Sequence, residues 1–577
     1  MLAATLGESP KLPAGLNLPL ITGLPVTNWQ DEAIPKFSGA AISLEQYELS
    51  RSLAIRQDRS GFVLGGDWQV CTFDASGKLR WCQVTLGVAW GVNLSADGEI
   101  VTVALGDGTI RWLRWSDGQE LLALFVEAPT RKWVAWTPTG YYMASPGAED
   151  MIGWHVNRGW AQQADFFPAS RFSARFNRPD IVQLMLKTRD EAEAVRQAND
   201  SSRRKVDVTP LAAQLPPVAS ILSPGSDSRF SGDSVEVTFS VRSPSGLPID
   251  GVQALIDGRP VETRGLAPAP VANAVGAGET RRLTIPAPAH DFELALIARS
   301  GALVGEATKV KLVYSGAAAH EVAPSLKPKL YIVTIGVSDY VDPDMRLGYA
   351  ADDARGFGEA MRAQAGGLYS EVKVLPPLID RAVTRASVIS ALRWLRKQVT
   401  ERDIGMVLIA GHGATDDGQN YWFLPSDATR DNLDANGVSQ DDLLREMRQV
   451  AGKTILFLDT CHSNQAVAGG TGRRGLTDID GVINEFSKAE NGLVVFSSSR
   501  GRETSQESAA WGHGAFTKAL IEGLGDGRAD LQHNGAITLS ELDAFVAERV
   551  KDLTNGDQHP VMTRPTTMQD FAFAVSK

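Results

Sequence analysis

Five short runs between residues 330 and 498 are dominated by apolar residues: LYIVTIGV, EVKVLP, GMVLIAG, TILFLDT and GLVVFSS. Runs this short and continuous offer no polar face to water, so they must be covered on both sides, as parallel strands flanked by helices are. The amphipathic stretches between them, DDARGFGEAMRAQA, RASVISALRWLRKQVT, SQDDLLREMRQVA and GAFTKALIEGL, supply those helices. The region 329–577 is therefore expected to be an α/β domain with a mostly parallel sheet.

A chain of 577 residues exceeds what one core can serve. Before the linker AAAHEVAPSLKPK, residues 210–318 alternate apolar and polar positions in VEVTFSVRS, VQALIDGRPVE, RRLTIPA, FELALIARS and KVKLVYSG, with Gly and Pro at the turns. That predicts a small β-sandwich of immunoglobulin-like type. Residues 1–200 carry three loosely similar segments, in which Gly61, Gly98 and Gly140 recur and Trp68, Trp112 and Trp154 follow at similar offsets. The spacing of roughly 40 residues suits a four-stranded propeller blade, and the segments resemble WD-repeat blades without the usual Trp-Asp ending. Three blades do not close a ring. The propeller is thus expected to be incomplete, completed by another chain, or cut short at this N-terminus. The charged stretch RDEAEAVRQANDSSRRKVDV reads as a helical connector to the sandwich.

A formal net charge of −11 repels polyanions, which argues against a nucleic-acid partner. Only Cys71, Cys82 and Cys461 are available as thiols, too few for a disulfide framework and not clustered as zinc ligands are. Cys71 and Cys82 flank a turn across which they could face each other, but the count suits reduced thiols. No basic start leads into an apolar core, and no apolar stretch of about 18 residues occurs. The expectation is a soluble, cytoplasmic protein with no membrane span.

Two of the predicted strands end in reactive residues: GMVLIAG runs into His412 and Gly413, and TILFLD into Thr460 and Cys461. Carboxyl ends of strands in an open α/β sheet converge on the ligand-binding edge. An imidazole there can take the proton of a thiol and later return it to a leaving amine, so His412 is the candidate base for Cys461. The backbone amides of Gly413 and Cys461 are candidates for the oxyanion site. His462, the immediate neighbour of the cysteine, falls on the opposite face of an extended segment and is assigned a structural role.

In order along residues 329–574, IVTIGVSDY, LGYAADDA, LIAGHGA, YWFLPSDA, FLDTCHSN, VVFSSSRGRETSQE, GHGAFTKALIEGL and GAITLSELDAFV resemble the caspase-like cysteine peptidases, in their bacterial metacaspase and orthocaspase branch. The histidine-to-cysteine spacing of about 50 residues fits. The resemblance implies a cysteine endopeptidase with His412 and Cys461 as its dyad. It also implies a primary pocket lined by two acids that binds an Arg or Lys side chain: Asp459, two residues before the cysteine, and Asp353 in LGYAADDA, with Asp352 if the register shifts by one. The same Asp353 could instead simply cap its helix. Ser499 is a further candidate for the substrate groove.

Three other expectations follow. The run DLQHNGAITLSE places Asp530, Asn534 and Glu541 at calcium-loop spacing, with Gln532 where an acid is usual. A similar run also serves the family as a plain turn before a helix. No cofactor is required for the chemistry, and calcium is a possible activator. The loop AVAGGTGRRGLTDIDG offers Arg473 and Arg474 as a self-cleavage site or is an ordinary surface loop. Substrates would be proteins or peptides with a basic residue before the cut, and the blades would recruit a protein partner, by family analogy in bacterial signalling or defence. The alternative is an interaction scaffold whose peptidase-like domain is inactive.

Overall fold

The computed structural model describes residues 18–201, 209–261, 278–316, 327–415, 420–429, 432–462, 479–501 and 503–576. Arg473 and Arg474 lie outside them. The chain divides into two compact units, Met1–Met143 with Phe176–Asp200, and Ala144–Arg175 with Ser201–Lys577. This differs from a border at 200, because residues 144–175 count with the second unit.

In the first unit, Ser50–Val84 form a four-stranded antiparallel meander, as one blade should. Residues Ala89–Ala144 form a second meander of six strands. The two share a core in which Ala54, Val63 and Val70 meet Val92, Val103 and Trp115. The third blade is not formed. Its first strand, Tyr142–Ala144, joins the edge of the second meander, and its later strand, Gly153–Val156, pairs with Asp165–Pro168. The spaced tryptophans are not core positions either, since Trp68 is 51% exposed and Trp112 and Trp154 are only half-buried; the buried tryptophan is Trp115, under Arg56 and Arg80. The expected connector is helical at Glu191–Ser201, and a further helix, Pro179–Thr188, precedes it.

Cys71 and Cys82 occupy directly opposite positions on neighbouring strands and form a disulfide. This corrects the expectation of reduced thiols. No helix among the described residues is long and apolar enough to cross a membrane.

In the second unit, two sheets face each other across residues 218–314. Val237, Phe239 and Ile285 of one meet Phe292, Leu294 and Leu296 of the other. The segment 144–175 is held by polar contacts to this unit. The Arg171 guanidinium, 6% exposed, donates to Glu306 and Glu490 at 2.9 and 3.0 Å. Gly147 N donates to Asn484 at 2.7 Å, and Lys488 Nζ donates to Ser173 at 2.8 Å.

The remainder is the α/β domain. Its principal strands are β1 (Lys329–Gly336), β2 (Glu371–Val374), β3 (Ile404–Thr415), β4 (Lys453–His462), β5 (Leu493–Ser497) and β6 (Val561–Thr563). They lie in the order 2-1-3-4-5-6, all parallel except β6. The helices are α1 (Ala350–Arg362), α2 (Arg385–Gln398), α3 (Gln440–Met447), α4 (Ile479–Phe486), α5 (Ala515–Leu520) and α6 (Leu539–Leu553). Helices α2, α3 and α4 pack on one face through Leu392, Leu443 and Ile483. On the other, α1, α5 and α6 pack through Phe357, Phe516 and Leu542. Both faces are covered, as the apolar runs demanded. Thr384 and Ser439 close capping boxes at the starts of α2 and α3, satisfying amides that would otherwise be unbonded.

Thiol titration of the unfolded, unreduced protein should find one free thiol per chain; a value of three would rule out the Cys71–Cys82 bond.

Candidate active site

Strands β3 and β4 remain paired to their ends, His412 opposite Cys461 and Gly413 opposite His462. The strand order reverses between β1 and β3, the kind of switch point beside which ligands bind in open α/β sheets. His412, 4% exposed, sits in that edge. Its backbone amide donates to Tyr340 Oη at 2.8 Å, and the Tyr340 ring lies 4.9 Å from the imidazole. Gly411 must be glycine here, because its φ is 150° and a Cβ would come within 2.8 Å of that hydroxyl.

The imidazole Nε2 is 2.8 Å from the Met345 carbonyl. A carbonyl only accepts, so Nε2 carries the hydrogen and Nδ1 bears the lone pair. That Nδ1 is buried with no hydrogen-bond partner among the described residues. Burial lowers the His412 pKa, with the Met345 bond opposing it. Burial thus favours the neutral ring, oriented by Met345 and carrying a bare nitrogen, an arrangement that suits a general base. Cys461 and His462 are strand positions, the condition on which the structural role given to His462 depended.

Two strand positions before Cys461, Asp459 is 5% exposed and accepts from Thr517 Oγ1 at 2.8 Å. Asp353, in the first turn of α1, is 3% exposed. It accepts from His513 Nδ1 at 2.8 Å and from Gly514 N at 3.2 Å. The two carboxylates converge, for Oδ2 of each lies 3.2 Å from where a Gly514 Cβ would be. No Lys or Arg among the described residues pairs with either. Burial pushes Asp353 up to about 7, opposed by the His513 bond and reinforced by the charge of Asp459. Burial also raises Asp459, against hydroxyl donors led by Thr517 and Ser498. Desolvated, adjacent carboxylates are unfavourable unless protonated or bridged by a positive group.

The other candidates separate cleanly. Asp352 is exposed and pairs with Arg355 at 2.6 Å, so the register favours Asp353. Asp353 does not cap its helix; the N-cap is Tyr349, without a side-chain bond. Ser499, just beyond β5, is fully buried with its Oγ unbonded among the described residues. In the run from Asp530 to Glu541, Asp530 accepts from the amides of Asn534 and Gly535 and from the Ser576 hydroxyl. Glu541 accepts from Gln532 N and Thr538 N and closes the capping box of α6. In this structure the run forms a capped turn whose carboxylates serve backbone amides, and no group of three or more potential ligands gathers among the described residues.

Sequence reasoning did not single out Tyr340, Met345, His513, Gly514 or Thr517. Tyr340 and the GHGAFT stretch sit inside motifs already noted, but nothing local ties them to residues up to 161 positions away.

No protein-family model matches the sequence, and no curated protein is similar to it. Among solved structures, a protein of Geobacter sulfurreducens aligns with 43% of this chain and 100% of its own, at 19% identity and TM-score 0.31. The Drosophila initiator caspase Dronc aligns with 42% of this chain and 81% of its own, at 10% identity and TM-score 0.29. BamB from Moraxella catarrhalis aligns with 22% of this chain and 44% of its own, at 17% identity and TM-score 0.16.

With Asp353 raised to about 7, the folded chain holds a proton that the unfolded chain, near 3.9, has already released. Its stability therefore falls as pH rises through that window. Asp353→Asn lacks this loss, so urea unfolding should show the variant gaining on the wild type by roughly 2–4 kcal/mol between pH 4 and pH 8. Parallel profiles would contradict it.

Proposed function

We propose that residues 329–574 are a caspase-like cysteine endopeptidase of the metacaspase and orthocaspase kind, cutting after Arg or Lys. The observation that carries this reading is the register of β3 and β4, which sets His412 beside Cys461, with a bare imidazole nitrogen on the first. The ordered motifs and the doubly covered sheet support it.

In this reading His412 Nδ1 takes the thiol proton and the Cys461 sulfur attacks the scissile carbonyl carbon. The amides of Gly413 and Cys461 hold the developing oxyanion. As the tetrahedral intermediate collapses, the C–N bond breaks and His412 returns the proton to the departing amine. Water, deprotonated by the same nitrogen, then releases the acyl group. Asp353 and Asp459 receive the basic side chain preceding the cut. Its positive charge between them relieves the repulsion of two buried carboxylates, and a guanidinium suits both at once. Ser499 lines the neighbouring groove. Protein groups alone carry this chemistry. The paired sheets of 218–314 are read as immunoglobulin-like and the N-terminal meanders as WD-type blades, serving recognition of a protein partner in a signalling or defence role.

A fluorogenic peptide ending in Arg should be cleaved, with kcat/KM falling about 10²–10⁴-fold in His412→Ala and turnover lost in Cys461→Ala. Because Asp353 must be ionised to pair with the substrate, KM should fall as pH rises through about 7. Asp353→Ala should abolish the preference for basic residues. Absence of turnover in the wild type, with or without calcium, would favour the inactive scaffold instead.

A further inference from the structure

The carboxylate of Asp353 is not free to turn. Its Oδ1 accepts from His513 Nδ1 and from the amide of the next residue, Gly514, which also reaches Oδ2 at 3.3 Å, and Oδ2 lies, like Oδ2 of Asp459, 3.2 Å from where a Gly514 Cβ would be. The His513 ring has its own seat. A Cβ at Gly356, one turn along α1 from Asp353, would lie 2.8 Å from the ring's Cε1, so the imidazole rests on bare helix backbone. His513 and Gly514 pair with Ser508 and Glu507, and Glu507 accepts from the amides of Gly348 and Tyr349 at the start of α1. One short hairpin thus holds both the entry of the helix and the acid on its first turn.

We propose that His513 is a positioning residue for the primary pocket: by occupying Oδ1 of Asp353 it turns Oδ2 toward Asp459, so that the two acids present a pair of oxygens matched to a guanidinium. This rests on the reading of Asp353 and Asp459 as the pocket for a basic side chain. An ammonium is a point charge and tolerates a carboxylate in many orientations. The planar guanidinium fork needs its acceptors at fixed positions. Fixing Asp353 therefore favours Arg over Lys, beyond the general attraction that two negative charges exert on either. Gly514 belongs to the same arrangement, since any side chain there would enter the space between the two oxygens.

The test compares His513→Phe, which keeps a ring against Gly356 but has no donor, with His513→Asn, whose amide restores a donor near the Nδ1 position. Peptides ending in Arg and in Lys are cleaved by the full-length protein, and kcat and KM are determined separately. His513→Phe should raise KM for the Arg peptide about tenfold or more, with kcat little changed and the Lys peptide less affected, so that the Arg-to-Lys ratio of kcat/KM falls. His513→Asn should recover most of that ratio. Benzamidine binding to Cys461→Ala by calorimetry should weaken in parallel when His513→Phe is added. If the Phe chain does not fold, His513→Ala is put through the same measurements. A wild type that cleaves after neither Arg nor Lys overturns the pocket reading itself. A wild type that cleaves after Arg, with ratio and benzamidine affinity unchanged in the donorless variants, overturns the role of His513 alone. An equal fall for both peptides, carried in kcat, also overturns it, because that is the mark of a general structural loss.

Discussion

The pairing of β3 with β4 is the constraint on which the rest of the α/β domain depends. Each strand is long for a parallel pair, and the ladder continues past the covered part of the sheet to His412 and Cys461. A slip of one residue would exchange the faces of every side chain on one strand, taking Leu456 and Leu458 out of one core and Phe457 out of the other. The two cores therefore hold the register, and the register sets the two reactive positions side by side. Stability and the placement of the proposed dyad rest on the same hydrogen bonds.

The acidic pair shows the opposite economy. Nothing about packing requires two carboxylates behind β4, and their burial raises the affinity of both for protons. What surrounds them is a set of hydrogen-bond donors, Thr517, Gly514 N and the His513 ring, rather than the arginine that answers a buried acid elsewhere, as at Asp442. Such an arrangement orients charge without cancelling it. Strain of this kind is typical of binding sites, where the ligand completes the electrostatics.

Much of this was legible in the sequence, for identifiable reasons. Continuous apolar runs have one comfortable arrangement, so the parallel sheet and the convergence of His412 with Cys461 followed from periodicity. The acid two residues before the cysteine was conspicuous because it opposed the chemistry beside it. What escaped was whatever depended on distant pairing. Met345 is joined to His412 across 67 residues through a backbone carbonyl, which has no sequence signature. His513 reaches Asp353 from the far end of the domain. The third blade failed because Gly140 and Trp154 keep the repeat spacing while their strands find other partners. Cys71 and Cys82 were judged by their number, whereas their bond depends on strand register.

The segment 144–175 changes how the parts can be separated. The chain passes between its two units at 143, at 175 and at 200, so neither unit is one continuous stretch. A nick near residue 200 leaves 144–175 covalently attached to the first unit's chain yet still seated in the second, held there by Arg171 between Glu306 and Glu490. Freeing the α/β domain thus needs more than cutting a linker. A nearly buried guanidinium must first be withdrawn from two carboxylates.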